Sequence, residues 1–358
     1  MTKISQFPHS RPVAAVVLLL LSLTGAGCGS SASTSSPRTP SASATSTAQS
    51  SSSSSSSASA ALPPAVAELA AAEHPRAGQF PPARGRTLAQ LAALVRSSAQ
   101  FGAATGTFTP GRRRLAFGLN AASGAFIYAP TAVYIAASAH ARAQGPFIAP
   151  ADPMTVPGPD RSQQNAGPGG IQAIYATQLP IPHPGTFTVL SLTRTSRGLI
   201  GAPGEIAVAP SSPIPDVGQH APDVATDTPA SVGGNISLLT TRQPPEPMHS
   251  LSLSSVLGKR PVALLFSTPQ FCISRICGPV TDVVVSLQHE FGGRIVFIHE
   301  EVYAHNQPKQ GLRPQMKAFH LETEPWLFTI NRHGIITGRL EGAFGTTELR
   351  QALQAALR

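Results

Sequence analysis

Apolar and polar positions change rhythm several times along the chain. A nearly unbroken apolar stretch, Val13 to Leu23, follows Lys3, His9 and Arg11 and leads through small residues to Cys28. Ser, Ala and Thr then fill residues 29–62, including an uninterrupted serine run from Ser50 to Ser57. Too little apolar area is available there to offset the entropy of ordering, which predicts a flexible tether. Over 63–100 two short helices are predicted. One runs from Ala65 to Glu73 and is stopped by Pro75; the other opens at Thr87-Leu88-Ala89-Gln90, a capping-box pattern, and continues to about Ser98. Between 101 and 210 the rhythm becomes period two. Leu115, Phe117 and Leu119 alternate with Arg114, Ala116 and Gly118, and further short runs sit at Val133/Ile135, Ile171/Ala173/Tyr175 and Phe187/Val189. Gly and Pro clusters separate these runs, as expected for a small antiparallel β-sandwich.

After a proline-rich stretch at 211–249, expected to connect two modules, strands alternate with helices. Val262–Ser267 reads as a buried strand, Thr281–Phe291 as a helix, Arg294–His299 as a second buried strand and Pro314–His320 as a second helix. Trp326–Ile330 and Ile335–Leu340 form a predicted hairpin turned at Asn331-Arg332-His333-Gly334, and Thr346–Leu357 closes the chain as a helix. The fold class predicted is therefore multidomain, an N-terminal β-sandwich followed by a C-terminal α/β domain over 250–358.

Composition changes this picture only in part. Among 358 residues charged side chains are 12%, with 35 Pro and 31 Gly, which favours β-rich modules over a helical bundle. The net charge of +9 is scattered, and the longest basic run, Arg112-Arg113-Arg114, is too short for a nucleic-acid footprint. His140 and His183 stand apart from other chemistry-bearing residues. The first 28 residues have the charged, apolar, small-residue order of a secretory signal, and the apolar stretch is too short to span a bilayer. Leu23-Thr24-Gly25-Ala26-Gly27-Cys28 resembles the lipobox of bacterial lipoproteins, with Gly25 where leucine is usual. That resemblance implies a lipid on Cys28 and an extracytoplasmic location, anchored to the membrane or secreted. It also leaves Cys272 and Cys277 as a pair in an oxidising compartment.

Three motifs carry further resemblances. Pro184-Gly185-Thr186-Phe187-Thr188-Val189 resembles strand openings of immunoglobulin-like envelope modules. Val217-Gly218-Gln219-His220-Ala221-Pro222-Asp223 resembles the Val-Gly-x-x-Ala-Pro opening of peroxiredoxin-like and extracytoplasmic thioredoxin-like domains. In the C-terminal domain, Phe271-Cys272-Ile273-Ser274-Arg275-Ile276-Cys277-Gly278-Pro279-Val280 follows a buried strand and resembles the Trp-Cys-Gly-Pro-Cys loop of thioredoxins, with wider C-x4-C spacing. Thr323-Glu324-Pro325 before Trp326-Leu327-Phe328 sits where that family places a cis-proline, which implies that Pro325 faces the cysteines.

Cα atoms five apart on one helix are roughly 8.6 Å apart, beyond the ~4.4–6.8 Å that a disulfide spans. The helix is therefore expected to start near Cys277–Gly278, where Pro279 is tolerated, with Cys272 in the loop folding back over it. Helix-end N–H groups, with Arg275, would then make Cys277 the more acidic sulfur. The buried acid of many thioredoxins has no counterpart on the strand, where Leu264 and Leu265 stand.

The function implied is thiol–disulfide exchange on envelope proteins, with Cys272, Cys277, Pro325 and Arg275 as site residues and no cofactor. A permanent staple is the bland alternative, and closing so short a loop would contribute only about 2 kcal/mol. A peroxiredoxin would need Pro-x-x-x-Thr-x-x-Cys, and neither cysteine is preceded by it. A Sco-type copper carrier would add a histidine to the two sulfurs, with His299, His305, His320 and His333 available, but its spacing is C-x3-C. A binding module without turnover also remains open.

Overall fold

The computed structural model describes residues 64–358, with the side chains of 64–66 and 168 left aside. The expected signal segment, Cys28 and the serine-rich tether lie outside the described residues. Among the described residues, no helix is long and apolar enough to cross a membrane.

The first helices form where their signals stand: α1 is Pro64–Glu73 and α2 is Leu88–Ala92. Thr87 caps α2 reciprocally, its hydroxyl accepting from the Gln90 N–H at 3.2 Å while the Gln90 side chain accepts from the Thr87 N–H at 2.9 Å. The helix ends well before Ser98 because the following backbone is claimed by a sheet. Arg96 N–H donates to the Leu199 carbonyl, and Ser97–Ser98 forms strand β1.

Period two then produces β2 (Gln100–Ala103), β3 (Gly111–Asn120), β4 (Thr131–Ala136), β5 (Gln144–Ala149), β6 (Ala151–Pro153), β7 (Ala173–Ile181), β8 (Gly185–Thr195) and β9 (Gly198–Val208). They form two sheets, ordered β1-β9-β8-β4-β5 and β2-β3-β7-β6. Leu115, Phe117 and Tyr175 from one sheet and Val133, Val189 and Ile206 from the other share one buried cluster, so the sheets pack face to face. Gly204 on β9 is needed where it stands, since a Cβ there would lie 2.7 Å from the Phe101 ring.

The remaining elements are α3 (Leu253–Val256), β10 (Val262–Phe266), α4 (Cys277–Phe291), β11 (Val296–Glu300), α5 (Pro314–Ala318), β12 (Trp326–Ile330), β13 (Ile336–Glu341) and α6 (Thr346–Ala356). The sheet order is β11-β10-β12-β13, with β10 parallel to β11 and antiparallel to β12, and β12 antiparallel to β13. Alternation divides β10 between two layers. Ala263 and Leu265 pack with Val280, Val284 and Leu287 of α4 and Leu349 and Leu353 of α6. Val262, Leu264 and Phe266 pack on the other face with α3, Met316 of α5 and Phe319.

The described residues, 64–358, form one compact unit. Ala116, Met154 and Ile174 of the sandwich region join the α4–α6 cluster, and polar contacts reinforce that seam. Asp152 caps α6, accepting from the N–H groups of Gly345, Thr347 and Glu348 at 2.9–3.0 Å. Arg114 pairs with Glu348 at 2.7 Å and Arg113 with Asp216 at 2.6 Å, so two residues of the basic run are internal struts. In place of a loose connector, 211–249 is built into the fold. Leu239, Arg242, Glu246, Met248 and His249 are buried, and Arg242 pairs with Asp282 on α4 at 3.0 Å.

Candidate functional site

β10 ends at Phe266, and the chain turns tightly before α4. The Cys272 and Phe271 N–H groups donate to the Thr268 carbonyl at 3.1 and 3.2 Å, and Arg275 N–H donates to the Cys272 carbonyl at 3.1 Å. Arg275 closes this turn at φ 58°, a left-handed conformation that costs a non-glycine residue. Its side chain is exposed, so Arg275 serves the loop through its backbone. Ile273 at the tip is 96% exposed.

Helix α4 starts at Cys277, with Pro279 in its first turn. The fold-back loop carries Cys272 over that helix end. Both cysteines are free thiols, and their sulfurs and a Glu324 carboxylate oxygen lie within 4.8 Å of one another. The Glu324–Pro325 bond is cis, and the Pro325 carbonyl accepts from Gly342 N–H at 2.8 Å. Cys272, Cys277 and the segment before Pro325 thus converge, while Arg275 stays at the rim.

The electrostatics reverse the expected roles of the two sulfurs. The Cys277 thiol, the Ser274 hydroxyl 3.2 Å away and the N–H groups of Ile276 and Cys277 all face the Cys272 sulfur. Hydrogen bonding from Cys277, opposed by burial and helped by these other donors, lowers Cys272 to about 6. Cys277 points inward and is fully buried, which pushes its thiol up; the neighbouring Cys272 raises it further, against one N–H from Thr268. The donors of the helix end therefore serve the residue folded over them and leave Cys277 the buried partner.

Two neighbours of the pair escaped the sequence reading. Glu324 is a half-buried carboxyl, raised to about 7 by burial and then by the Cys272 charge. The strand carries Leu264 and Leu265 instead of an acid, and the carboxyl arrives from the residue before Pro325. Tyr303 stacks edge-on against Phe271 at 6.4 Å, and burial and then Glu324 raise its hydroxyl. Replacing Cys272 by Ser should bring the Glu324 carboxyl down from about 7, because the thiolate charge that helps to raise it is removed. A pH titration of the Glu324 carboxyl by NMR checks this; an unchanged titration would place Glu324 outside the site.

Two donor sets lie among the described residues. Cys272, Cys277 and Glu324 offer two sulfurs and a carboxylate, and no histidine joins them, so the copper-carrier alternative lacks its third ligand there. His299 is engaged elsewhere, and His305 bonds Gln310 at 2.6 Å. The second set is Glu246, His249 and His299, all buried. His249 Nε2 and His299 Nδ1 each lie 2.6 Å from Glu246 Oε1. Ligands on a tetrahedral zinc stand roughly 3.3 Å apart, given bonds of ~2.0–2.1 Å, so these contacts are hydrogen bonds. Burial opposes charge on His299, but Glu246 outweighs it and lifts the imidazole to about 9, while the two histidines hold Glu246 far below the carboxylate range against its own burial.

No family model matches the chain, and no curated protein does. Among solved structures, the crystal structure of a putative thiol:disulfide interchange protein DsbE from Chlorobium tepidum is 17% identical, with a TM-score of 0.27. The alignment covers 40% of this chain and 99% of that one. At that score the likeness carries no argument, and the functional reading rests on the site itself.

Proposed function

We propose that the chain is a thiol–disulfide exchange protein of the thioredoxin-like class, acting through Cys272 and Cys277. The observation that carries this reading is two free, buried thiols meeting a carboxyl at a helix start beside the Pro325 segment, the loop sulfur at 7% exposure lowered and the helix sulfur at 0% raised. A structural staple needs neither the difference in acidity nor an ionisable carboxyl beside the pair. Sheet order β11-β10-β12-β13, with helices on both faces, supports the thioredoxin-like reading of the C-terminal part. In the sandwich, β2-β3-β7-β6 facing β9-β8-β4-β5 has the ABED and GFCC′ order of immunoglobulin-like modules, which supports that expectation. The lipobox-like segment supports an extracytoplasmic chain tethered through Cys28, with envelope protein thiols and disulfides as partners.

In the reducing direction, the Cys272 thiolate attacks one sulfur of a substrate disulfide. The substrate S–S bond breaks, the leaving sulfur takes a proton, and a mixed disulfide forms at Cys272. Cys277 then loses its proton, for which Glu324 is the adjacent acceptor, and attacks the Cys272 sulfur. The second substrate thiol is released, two electrons have passed to the substrate, and the Cys272–Cys277 disulfide remains. The reverse sequence oxidises a substrate dithiol.

Incubating the reduced chain with a disulfide-containing peptide tests this order. With Cys277→Ser a mixed disulfide should accumulate at Cys272, and with Cys272→Ser none should form. Absence of adducts in both variants, with no peptide reduction by the unmodified chain, would support a staple.

A further inference from the structure

Beneath the cysteine pair lies a buried polar cluster that the exchange steps above leave unused. Alternation along β11 turns His299 to the same face as Phe297, the face covered by α4, opposite Leu265 in register. Glu246 and His249 reach it from the 240–249 segment, and Glu301 adds negative charge from the end of its own strand. Glu246 Oε2 accepts from the Thr240 hydroxyl at 2.9 Å, which fixes the carboxylate at both oxygens.

The far nitrogen of His299, Nε2, lies 3.0 Å from the Ser267 carbonyl. A carbonyl only accepts, so Nε2 carries a proton and donates. The Ser267 carbonyl and the Thr268 N–H belong to one planar peptide unit. That N–H is the group that favours the Cys277 thiolate against burial. A second connection runs alongside: the Thr281 hydroxyl donates to the Cys277 carbonyl at 2.8 Å, so the Ser267 hydroxyl, 2.7 Å from Thr281 Oγ1, is the donor there. One end of the Ser267–Thr268 peptide is gripped by His299, and the other end meets the sulfur that must become charged when the mixed disulfide is resolved.

We propose that the Glu246–His299 pair is a positioning device for Cys277, holding the Ser267–Thr268 peptide so that its N–H stays on the Cys277 sulfur during the resolving step. Cys277 is buried, so few donors stabilise its thiolate, and the orientation of this one matters accordingly. Donation into the carbonyl also polarises the peptide and strengthens its N–H as a donor. Cys272 has its own donors at the helix start and is independent of this device. The inference rests on the exchange reading, because it concerns the second of the two chemical steps.

The two steps separate with an aromatic disulfide reagent that releases a coloured thiolate. Cys272 attack releases the first equivalent and leaves an aryl mixed disulfide; Cys277 attack on Cys272 releases the second and closes the internal disulfide. In the full chain, Glu246→Gln and His299→Gln should slow the second release about tenfold or more and leave the first within twofold. Unchanged second release in both variants would overturn the inference, as would equal slowing of both steps, which marks a general structural defect. No first release by the unmodified chain would instead overturn the exchange reading. A readout without substitution guards against misfolded variants: the His299 Nε2–H resonance should shift when the cysteine pair is oxidised, and an unmoved resonance would contradict the coupling.

Discussion

At pH 7, iodoacetamide is expected to label Cys272 in the reduced, folded chain about a hundredfold faster than Cys277. The thiolate is the reacting species, so rate follows the fraction ionised. With its thiol lowered to about 6, Cys272 is about nine-tenths thiolate at pH 7. Cys277 stands well above the ordinary thiol value, so little of it is ionised, and its full burial lowers access further. Labelling of Cys272 should fall about tenfold per pH unit below pH 6, where the thiol reprotonates. The corresponding stability term has a definite sign. A lowered acid stabilises the reduced fold above its unfolded pKa, and that contribution is lost as the pH falls through about 6. Peptide mapping of the labelled chain checks the assignment. Preferential labelling of Cys277 would restore the order expected from the sequence and remove the basis for the proposed first step.

The second large effect concerns folding. Asp282→Ala should cost about 3–5 kcal/mol in denaturant unfolding, because it strands a buried guanidinium. Asp282 is fully buried on α4. Its Oδ1 accepts from Arg242 Nε at 3.0 Å, and its Oδ2 accepts from the Ser162 N–H and hydroxyl and from the Asn165 amide at 3.0–3.1 Å. Arg242 also donates to the Asp160 and Pro244 carbonyls at 2.7 and 2.6 Å. This carboxylate joins a loop of the sandwich region, the 240s segment and the helix that bears Cys277. Removing Arg242 together with Asp282 should cost less than the sum of the single changes, since neither charge is then left unpaired. A loss under 1 kcal/mol for Asp282→Ala would mean that the three segments are held by apolar packing alone.

Legibility in the sequence followed the range of the interactions. Elements with a clear local period were readable: the β12–β13 hairpin around Gly334, the α4 stripe, and the capping box at Thr87. β9 was missed because Gly201, Pro203 and Gly204 break the pattern of a strand, although β8 pairs with it along its whole length. The strand tolerates Pro203 and Gly204 because its other side is paired only near its ends, by β1 at Ile200–Gly201 and by Phe108 at Val208. Proline content made 211–249 look like a spacer, since the partners that give Arg242 and Glu246 their roles, Asp282 and His299, lie far along the chain. At the site, Cys272, Cys277 and Pro325 were readable as a constellation. Their polarity was not, because it depends on which sulfur the loop folds over the helix start. Glu324 was hidden for a similar reason: β10 holds Leu264 and Leu265 where many thioredoxins carry an acid, and the carboxyl comes from the residue before Pro325.

The reading stands on Cys272 and Cys277 being an exchangeable pair, and equilibration of the full chain with glutathione buffers, followed by thiol trapping and mass mapping, measures that directly. The account predicts one internal Cys272–Cys277 disulfide with a potential between about −120 and −270 mV, the span of known exchange proteins. A pair that stays oxidised well below about −300 mV, or sulfurs that never join, would contradict it.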